Sequence, residues 1–191
     1  MFSTIPRFAG YPAKAGFARC TRIGFNSTQY LLEQGPKRLD DQTKTPFTRR
    51  PDLLVATEGE FAGWRTWSRD TFESHNGPFW HKIEDDGRVR CAFRAETKHL
   101  NGLKHVHGGC YMTFADYCLF AFASPVLQGP AVTVTFASEF LNAAYEGELV
   151  EAEGEVTRAG GSLIFVRGLL KSGERPLFSF SGTIKRVKRK T

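Results

Sequence analysis

The sequence has no uninterrupted apolar run of the ~18 residues that a membrane-spanning helix needs. Its longest candidate, residues 114 to 127, is interrupted by Asp116, Ser124 and Pro125. Because no segment is suited to crossing a bilayer, we expect a soluble protein with no membrane partner.

Cysteine is scarce, and the four cysteines among 191 residues include no CxxC pair. Cys110 and Cys118 would lie ~12 Å apart on one helix, which is too far for a disulfide. Free thiols of this kind favour a reducing compartment, and we expect a cytoplasmic protein whose thiols fill apolar space.

Acidic residues are absent before Glu33, although four basic residues occur there and add to the net charge of +6. This composition suits a disordered leader, translation from an upstream start codon, or a transit peptide that would place the protein in the mitochondrial matrix. Residues 33 to 57 stay polar and basic and contain three prolines, so little fixed structure is expected there. We therefore predict a leader or targeting segment over residues 1 to 58.

From about Phe61 the pattern becomes foldable, and the 41% hydrophobic content suffices for one core over residues 59 to 191. Two strands, Phe79 to Ile83 and Arg88 to Arg94, flank an acidic turn that contains glycine. One long helix is expected from His107 to Ala123. Four more strands are predicted, over residues 131–141, 148–158, 162–171 and 176–188. Their short connections predict an α+β fold in which a curved antiparallel sheet wraps around one long central helix.

Asp116 is the only charged residue between Cys110 and Ala123, a segment that is otherwise almost wholly apolar. A helix that is apolar all round is normally buried, so this carboxylate must find a partner, lose its charge or take part in chemistry. The helix opens with His107, Gly108 and Gly109, where unpaired N–H groups and the helix dipole favour a developing negative charge. This combination favours catalysis over a purely structural aspartate.

His107 and Asp116 would be separated by ~13 Å along the helix axis, which is too far for both to contact one substrate atom. Two copies around a two-fold axis, with their helices antiparallel, would bring the helix start of one chain to the Asp116 of the other. We therefore expect an obligate homodimer with two shared sites.

The segment from Asn101 to Asp116 resembles the signature of hot-dog fold acyl-CoA thioesterases of the phenylacetate-pathway type, in the 4-hydroxybenzoyl-CoA thioesterase superfamily. Its Asn, its His-Gly-Gly and its Asp have the spacing of that family, and the resemblance covers roughly residues 78 to 188. It implies homodimers that often pair again into tetramers, and hydrolysis of an acyl-CoA substrate to free acid and CoA.

The candidate catalytic residues have roles that the chemistry allows. Asp116 would act as a general base on water or attack the carbonyl directly, while the N–H groups of Gly108 and Gly109 polarise the thioester carbonyl. Asn101 could donate a second hydrogen bond to the carbonyl or hold the attacking water, and the resemblance implies that it belongs to this half of the site. The plainer interpretation of Asn101 is an Asn-Gly turn.

Two further candidates have equally open roles. By resemblance, Thr133 stands where similar enzymes carry a hydroxyl residue, so it either holds the carboxylate or water, or packs within its strand. His107 contacts the thioester, protonates the leaving thiolate, orients the loop, or makes a structural hydrogen bond at the helix start. Aromatic residues of the helix either pack in the core or wall an acyl pocket: Phe114, Phe120 and Phe122.

By resemblance, Arg158, Gly160 and Gly161 belong to a hairpin that meets the nucleotide of coenzyme A. The basic tail from Lys185 to Lys190 is interpreted first as a solvated strand end, second as a phosphate contact and last as a nucleic-acid or membrane contact. We predict no nucleic-acid partner.

His105 and His107 form a His-x-His pattern, but no further ligand stands at a recognisable spacing, so we predict no metal and no other cofactor. Two rival functions remain: another activity of this fold, such as a hydratase, and a non-catalytic acyl-CoA-binding module.

Overall fold

The computed structural model describes residues 53–67 and 69–187. Most of the predicted leader, residues 1–52, and the last residues of the basic tail, 188–191, lie outside the described residues. The described elements are β1 (Leu53–Val55), β2 (Arg65–Trp67), α1 (Phe72–Asn76), β3 (Trp80–Ile83), β4 (Val89–Arg94), a 3-10 helix (Thr97–His99), α2 (Gly108–Ala123), β5 (Ala131–Phe140), β6 (Leu149–Ala159), β7 (Leu163–Ser172) and β8 (Arg175–Arg186).

The eight strands in this part of the chain form one antiparallel sheet in the order β1-β2-β3-β4-β6-β7-β8-β5. Helix α2 connects β4 to β5 and packs across β4, β6, β7 and β8. The predicted α+β fold, with an antiparallel sheet and one main helix, is therefore confirmed.

Most predicted elements occur where the sequence pattern indicated. The helix spans Gly108–Ala123, and β5 to β8 each begin and end within about two residues of their predicted ranges. The acidic turn closes a hairpin, because the Glu84 N–H donates to the Arg88 carbonyl at 2.8 Å. Gly87 has a φ of 81°, a left-handed conformation that glycine adopts without strain.

The start of the sheet was not predicted correctly. Strand β1 pairs with β2 from Leu53 to Val55, so the expectation of little fixed structure over residues 33 to 57 is wrong for these three residues. β2 and the five-residue α1 were also missed, because elements this short have no hydrophobic period. The domain boundary near residue 59 stays a prediction.

Strand glycines let α2 approach the sheet closely. A Cβ atom on Gly154 of β6 would meet the Phe122 ring and would lie 2.6 Å from the Arg167 carbonyl oxygen. A Cβ atom on Gly182 of β8 would meet the Leu119 side chain. Large apolar side chains of α2 therefore fill the space that strand side chains would otherwise occupy, and they form the centre of the core.

A buried histidine joins the sheet to α2. His81 on β3 is 3% exposed, and its Nδ1 lies 2.5 Å from the Tyr117 hydroxyl on α2. Burial, and then the charge of Arg65, lower the pKa of His81 to about 4, from an ordinary value of 6.5. The ring is therefore neutral in the folded protein near neutral pH.

Lowering the pH from about 7 to about 4 will reduce the free energy of unfolding more for the wild type than for a His81→Gln variant, by about 3 kcal/mol. Below pH 6.5 the unfolded chain protonates this histidine, whereas the folded chain does so only near pH 4. The contribution of His81 to stability is therefore complete above pH ~6.5 and is lost as the pH falls toward 4.

Urea denaturation of both proteins at matched concentration measures this difference. Glu73 acts in the opposite direction, because burial raises the pKa of its carboxyl to about 7 and folding then gains from protonation as the pH falls. Both proteins share that contribution, so it cancels in the comparison. Equal pH dependence of the two proteins would contradict a neutral buried His81.

Candidate functional site

Helix α2 has one stripe that the described part of its own chain does not bury. Ten of its 16 residues are buried, and the others follow the three- and four-residue spacing of one helix face: Gly108, Gly109, Met112, Thr113, Asp116 and Phe120. Asp116 is half-buried at the centre of this uncovered stripe. The prediction of a helix buried all round is therefore wrong along this face, which is where the carboxylate lies.

Asp116 is held by a side chain from the sheet. The Thr133 hydroxyl on β5 donates to Asp116 Oδ1 at 2.6 Å, and both side chains are half-buried. A hydrogen bond to an ionised carboxylate is among the stronger ones in proteins, and it fixes the orientation of the acceptor. Of the two interpretations of Thr133, the structure shows the contact with the carboxylate, and a catalytic role stays a prediction.

Asn101 orders the loop that precedes α2. Its Oδ1 accepts from the N–H groups of Leu103 and His105, at 2.9 and 3.2 Å. The side-chain oxygen therefore has the structural role that the Asn-Gly turn interpretation gives it. The amide nitrogen has no hydrogen-bond partner among residues 53–67 and 69–187, although the residue is half-buried. Asn101 can therefore hold the loop through its oxygen and still donate to a ligand through its nitrogen.

His107 is the N-cap of α2. Its Nδ1 accepts from the Gly109 N–H at 2.8 Å, so the neutral ring carries its proton on Nε2. The structural hydrogen bond at the helix start, one of the interpretations of His107, is thus present.

The hydrogen bond to the His107 ring occupies the Gly109 N–H, which is one of the two predicted oxyanion donors. The Gly109 N–H points to the His107 ring, whereas the Gly108 N–H has no acceptor in the described ranges. The Phe140 ring packs against Gly108, where a Cβ atom would lie 2.9 Å from the ring. Gly108 therefore combines an unengaged donor with an aromatic neighbour that is 58% exposed.

A cavity of about 300 Å³ lies beside the second half of α2. Apolar side chains from α2 and the loop before β5 form one wall, and residues of α1 and the segment before it form the other; the lining comprises Trp67, Arg69, Thr71, Glu73, Tyr117, Phe120, Leu127, Gly129, Pro130 and Ala131. Burial, and then the charge of Asp116, raise the pKa of the Glu73 carboxyl to about 7. Glu73 thus places in the cavity lining a carboxyl group whose pKa responds to the charge of Asp116.

Arg158 is exposed at the end of β6, beside a hairpin turn that is fixed by its own backbone and by β8. The Gly160 N–H donates to the Leu163 carbonyl at 2.8 Å, and Arg186 donates to the carbonyls of Gly160 and Gly161. Arg186 also reaches the Val126 carbonyl at 2.8 Å. This basic residue of the tail is therefore a structural contact, which neither interpretation of the tail included.

Glu73 and Arg186 were missed by sequence reasoning for different reasons. Glu73 lies on a five-residue helix in a segment without a period, so nothing in the sequence places it near Asp116. Arg186 stands in a run of basic residues and has no distinguishing neighbour.

Residues 53–67 and 69–187 contain no group of three His, Cys, Asp or Glu side chains arranged to hold a metal ion. No helix in this part of the chain is long and apolar enough to cross a membrane.

Comparison with solved structures identifies the fold as the hot-dog fold. The Escherichia coli PaaI protein from the phenylacetic acid degradation operon is similar with a TM-score of 0.54 and 21% identity, covering 62% of this chain and 86% of that one. A hypothetical thioesterase protein of Streptococcus pneumoniae, solved with coenzyme A, is similar with a TM-score of 0.52 and 19% identity, covering 59% and 88%.

Sequence comparison shows to which family with the hot-dog fold the chain belongs. Residues 103–179 match the family described as "Thioesterase superfamily". A Pseudomonas aeruginosa protein that carries the name "Putative esterase PA0474" is 34% identical over 109 residues, covering 56% of this chain and 81% of that protein. The chain therefore belongs to the hot-dog thioesterase superfamily, and the resemblance found in the sequence is confirmed.

Proposed function

We propose that the protein hydrolyses an acyl-CoA thioester to a free acid and CoA. The observation that carries the proposal is the Asp116 carboxylate, held by Thr133 at the centre of the uncovered stripe of α2. Membership of the thioesterase superfamily supports hydrolysis. The similar S. pneumoniae protein with coenzyme A supports a CoA ester as the substrate.

Asp116 supplies the nucleophile for the thioester carbonyl. It either removes a proton from water, whose oxygen attacks the carbonyl carbon, or attacks that carbon itself and forms an anhydride that water then cleaves. Both routes need the ionised carboxylate. In each, the carbonyl π electrons move to oxygen, and their return breaks the C–S bond and releases CoA as a thiolate that takes up a proton. Oδ1 is engaged by Thr133, so Oδ2 is the atom directed to this task.

The carbonyl oxygen is polarised by groups at the start of α2. The Gly108 N–H and the Asn101 amide nitrogen donate to the developing oxyanion, assisted by the dipole of a 16-residue helix. His107 keeps this helix start in place through its cap and presents its Nε2 proton on an exposed ring. The Gly109 N–H serves the cap, so Gly108 is the backbone donor of the pair.

Two copies of the chain complete each site. Gly108 and Asp116 lie on the same helix and are ~12 Å apart along its axis, too far for one carbonyl group to contact both. A homodimer with antiparallel α2 helices brings the Asn101 and Gly108 of one protomer to the Asp116 of its partner. Exposed apolar residues support such an interface, since Val132 and Val134 on the outer strand β5 are 46% and 47% exposed.

Coenzyme A binds at the hairpin between β6 and β7. Arg158 is exposed beside Gly160 and Gly161, whose turn is braced by Arg186, and its charge complements the phosphates of the nucleotide.

Thiol release from a panel of short, medium, long and aromatic acyl-CoAs, together with acyl-CoA binding by calorimetry, tests the proposed function. We expect selective release, with one free acid formed for each thiol. The matched control is an Asp116→Asn variant purified in the same way. Binding of acyl-CoA without release from any thioester would contradict hydrolysis and favour the non-catalytic module.

Replacing Thr133 by Val will lower kcat roughly 10- to 100-fold and leave KM nearly unchanged, because a hydrogen bond to a charged group is worth about 1.5–3 kcal/mol. Thr133 is a positioning residue that acts through Asp116, and valine keeps its shape without the hydroxyl. A Thr133→Ser variant restores the donor and should recover most of kcat. Equal losses for valine and serine would show that Thr133 only packs.

A further inference from the structure

The cavity beside α2 lies directly next to the hydrogen-bonded pair of Asp116 and Thr133. Phe120, which lines the cavity, is one helical turn beyond Asp116 on the same uncovered stripe. Ala131, which also lines it, is two residues before Thr133 on β5 and so faces the same side of that strand. Asp116 and Thr133 thus each have a cavity-lining residue as the next side chain on the same face of their helix or strand. A group attached to a carbonyl at Asp116 can therefore enter the cavity.

The cavity suits an acyl group in size and lining. Its volume of about 300 Å³ is at the lower end of the ~300–1,000 Å³ of small-molecule pockets. Phe120, Leu127 and Pro130 contribute to an apolar wall, which favours an acyl chain. The small volume favours a chain of short or medium length.

On the opposite wall of the cavity, the Glu73 carboxyl can form a hydrogen bond with a bound acyl group. Its side chain is half-buried and lines the cavity, and its carboxyl has no hydrogen bond or ion pair with any side chain or backbone group of the described residues. Burial and the neighbouring Asp116 charge raise its pKa to about 7, so a protonated carboxyl that can donate is well populated at neutral pH. An acyl chain that fills the cavity displaces water from this group and leaves it unpartnered unless the chain carries a polar atom.

We infer that this cavity is the acyl site and that Glu73 determines its specificity, by selecting acyl chains that carry a hydroxyl group over unsubstituted chains of the same length. A hydroxyl can accept from the protonated carboxyl or donate to the ionised one, so it satisfies Glu73 in either state. The inference rests on the proposed function and adds a substrate class to it.

The test compares octanoyl-CoA with its monohydroxylated isomers, measuring kcat/KM for hydrolysis and Kd for the matching non-hydrolysable thioether analogues. For the wild type we expect the best hydroxylated isomer to exceed octanoyl-CoA roughly tenfold in both measurements, as expected when a buried polar group is satisfied in only one complex. A Glu73→Leu variant should bring the ratio of the hydroxylated to the plain chain close to one in both measurements. The hydroxylated chain should be bound and hydrolysed less well by this variant, and the plain chain better. Glu73→Ala carries the same expectation if the leucine variant does not fold.

Two controls make the result specific. Glu73→Gln keeps a hydrogen-bonding side chain of similar size and should retain most of the preference. Glu58→Leu makes the same replacement at an exposed position outside the cavity lining and should leave the ratio unchanged.

The outcomes separate this inference from the proposed function. Hydrolysis and analogue binding with no preference in the wild type, or with a preference that Glu73→Leu retains, would overturn the inference alone. If no acyl-CoA is hydrolysed and no analogue binds, the proposed function fails and the inference fails with it.

Discussion

Replacing Asp116 by Asn will lower kcat/KM for the preferred acyl-CoA roughly 10³-fold or more, while Kd for a non-hydrolysable analogue stays within about threefold of wild type. Asparagine has the same shape and can still accept from the Thr133 hydroxyl, so the side chain keeps its position. The neutral amide neither takes a proton from water nor attacks a carbonyl carbon, which removes the chemical step by either route.

The measurement is thiol release under saturating and limiting substrate, with thermal unfolding and oligomeric state compared for both proteins. Asp85→Asn is the matched control, because it makes the same change at an exposed position of the β3–β4 hairpin. A variant with more than about a tenth of wild-type kcat would rule out Asp116 as base or nucleophile, because such a group contributes at least ~10²-fold.

Gly154→Ala will destabilise the folded protein by about 3 kcal/mol or more, at the upper end of the cost of overpacking a core. The new Cβ atom would collide with the Phe122 ring and would lie 2.6 Å from the Arg167 carbonyl oxygen. The ring can turn only at the expense of its packing against Phe180, and the carbonyl belongs to the β6–β7 ladder, where Gly154 is paired with Gly168. Neither neighbour can move without breaking further contacts.

Urea denaturation at matched protein concentration measures this loss. Gly161→Ala is the control, because a Cβ atom there meets nothing within 4 Å and should change stability by less than about 0.5 kcal/mol. If Gly154→Ala were as stable as this control, the close approach of α2 to the sheet would be wrong. Adding Phe122→Leu should restore part of the stability only, since the carbonyl contact remains.

The second half of the fold follows from sequence because its strands are 10 to 12 residues long and most of the turns between them contain glycine. In β8, Phe178, Phe180 and Ile184 are buried, while Ser179 and Lys185, each the residue after a buried one, are not, as their alternation predicted. β1 and β2 have three residues each, and their pairing partners rather than their composition determine that they are strands.

The candidate site was predictable where it depends on neighbours along the chain. The His107 cap and the loop order at Asn101 are local, and both were among the interpretations of the sequence. The Asp116–Thr133 contact joins a helix to a strand 17 residues away, and the family resemblance was needed to suggest it. Glu73 lies on the short helix α1, which no sequence pattern predicts, so only the fold reveals that Glu73 is close to Asp116.

The position of β5 has a consequence for how the chain behaves on its own. Among the described residues, this ten-residue strand pairs with β8 alone, so one edge of β5 has no strand partner there, and Val132 and Val134 on the strand are exposed. An open edge of this length is a template for pairing with any extended chain, including a misfolded copy. In the proposed homodimer, a lone protomer is thus exposed to aggregation in proportion to the time it spends unpaired, and protein concentration affects both its lifetime and the activity of the shared site.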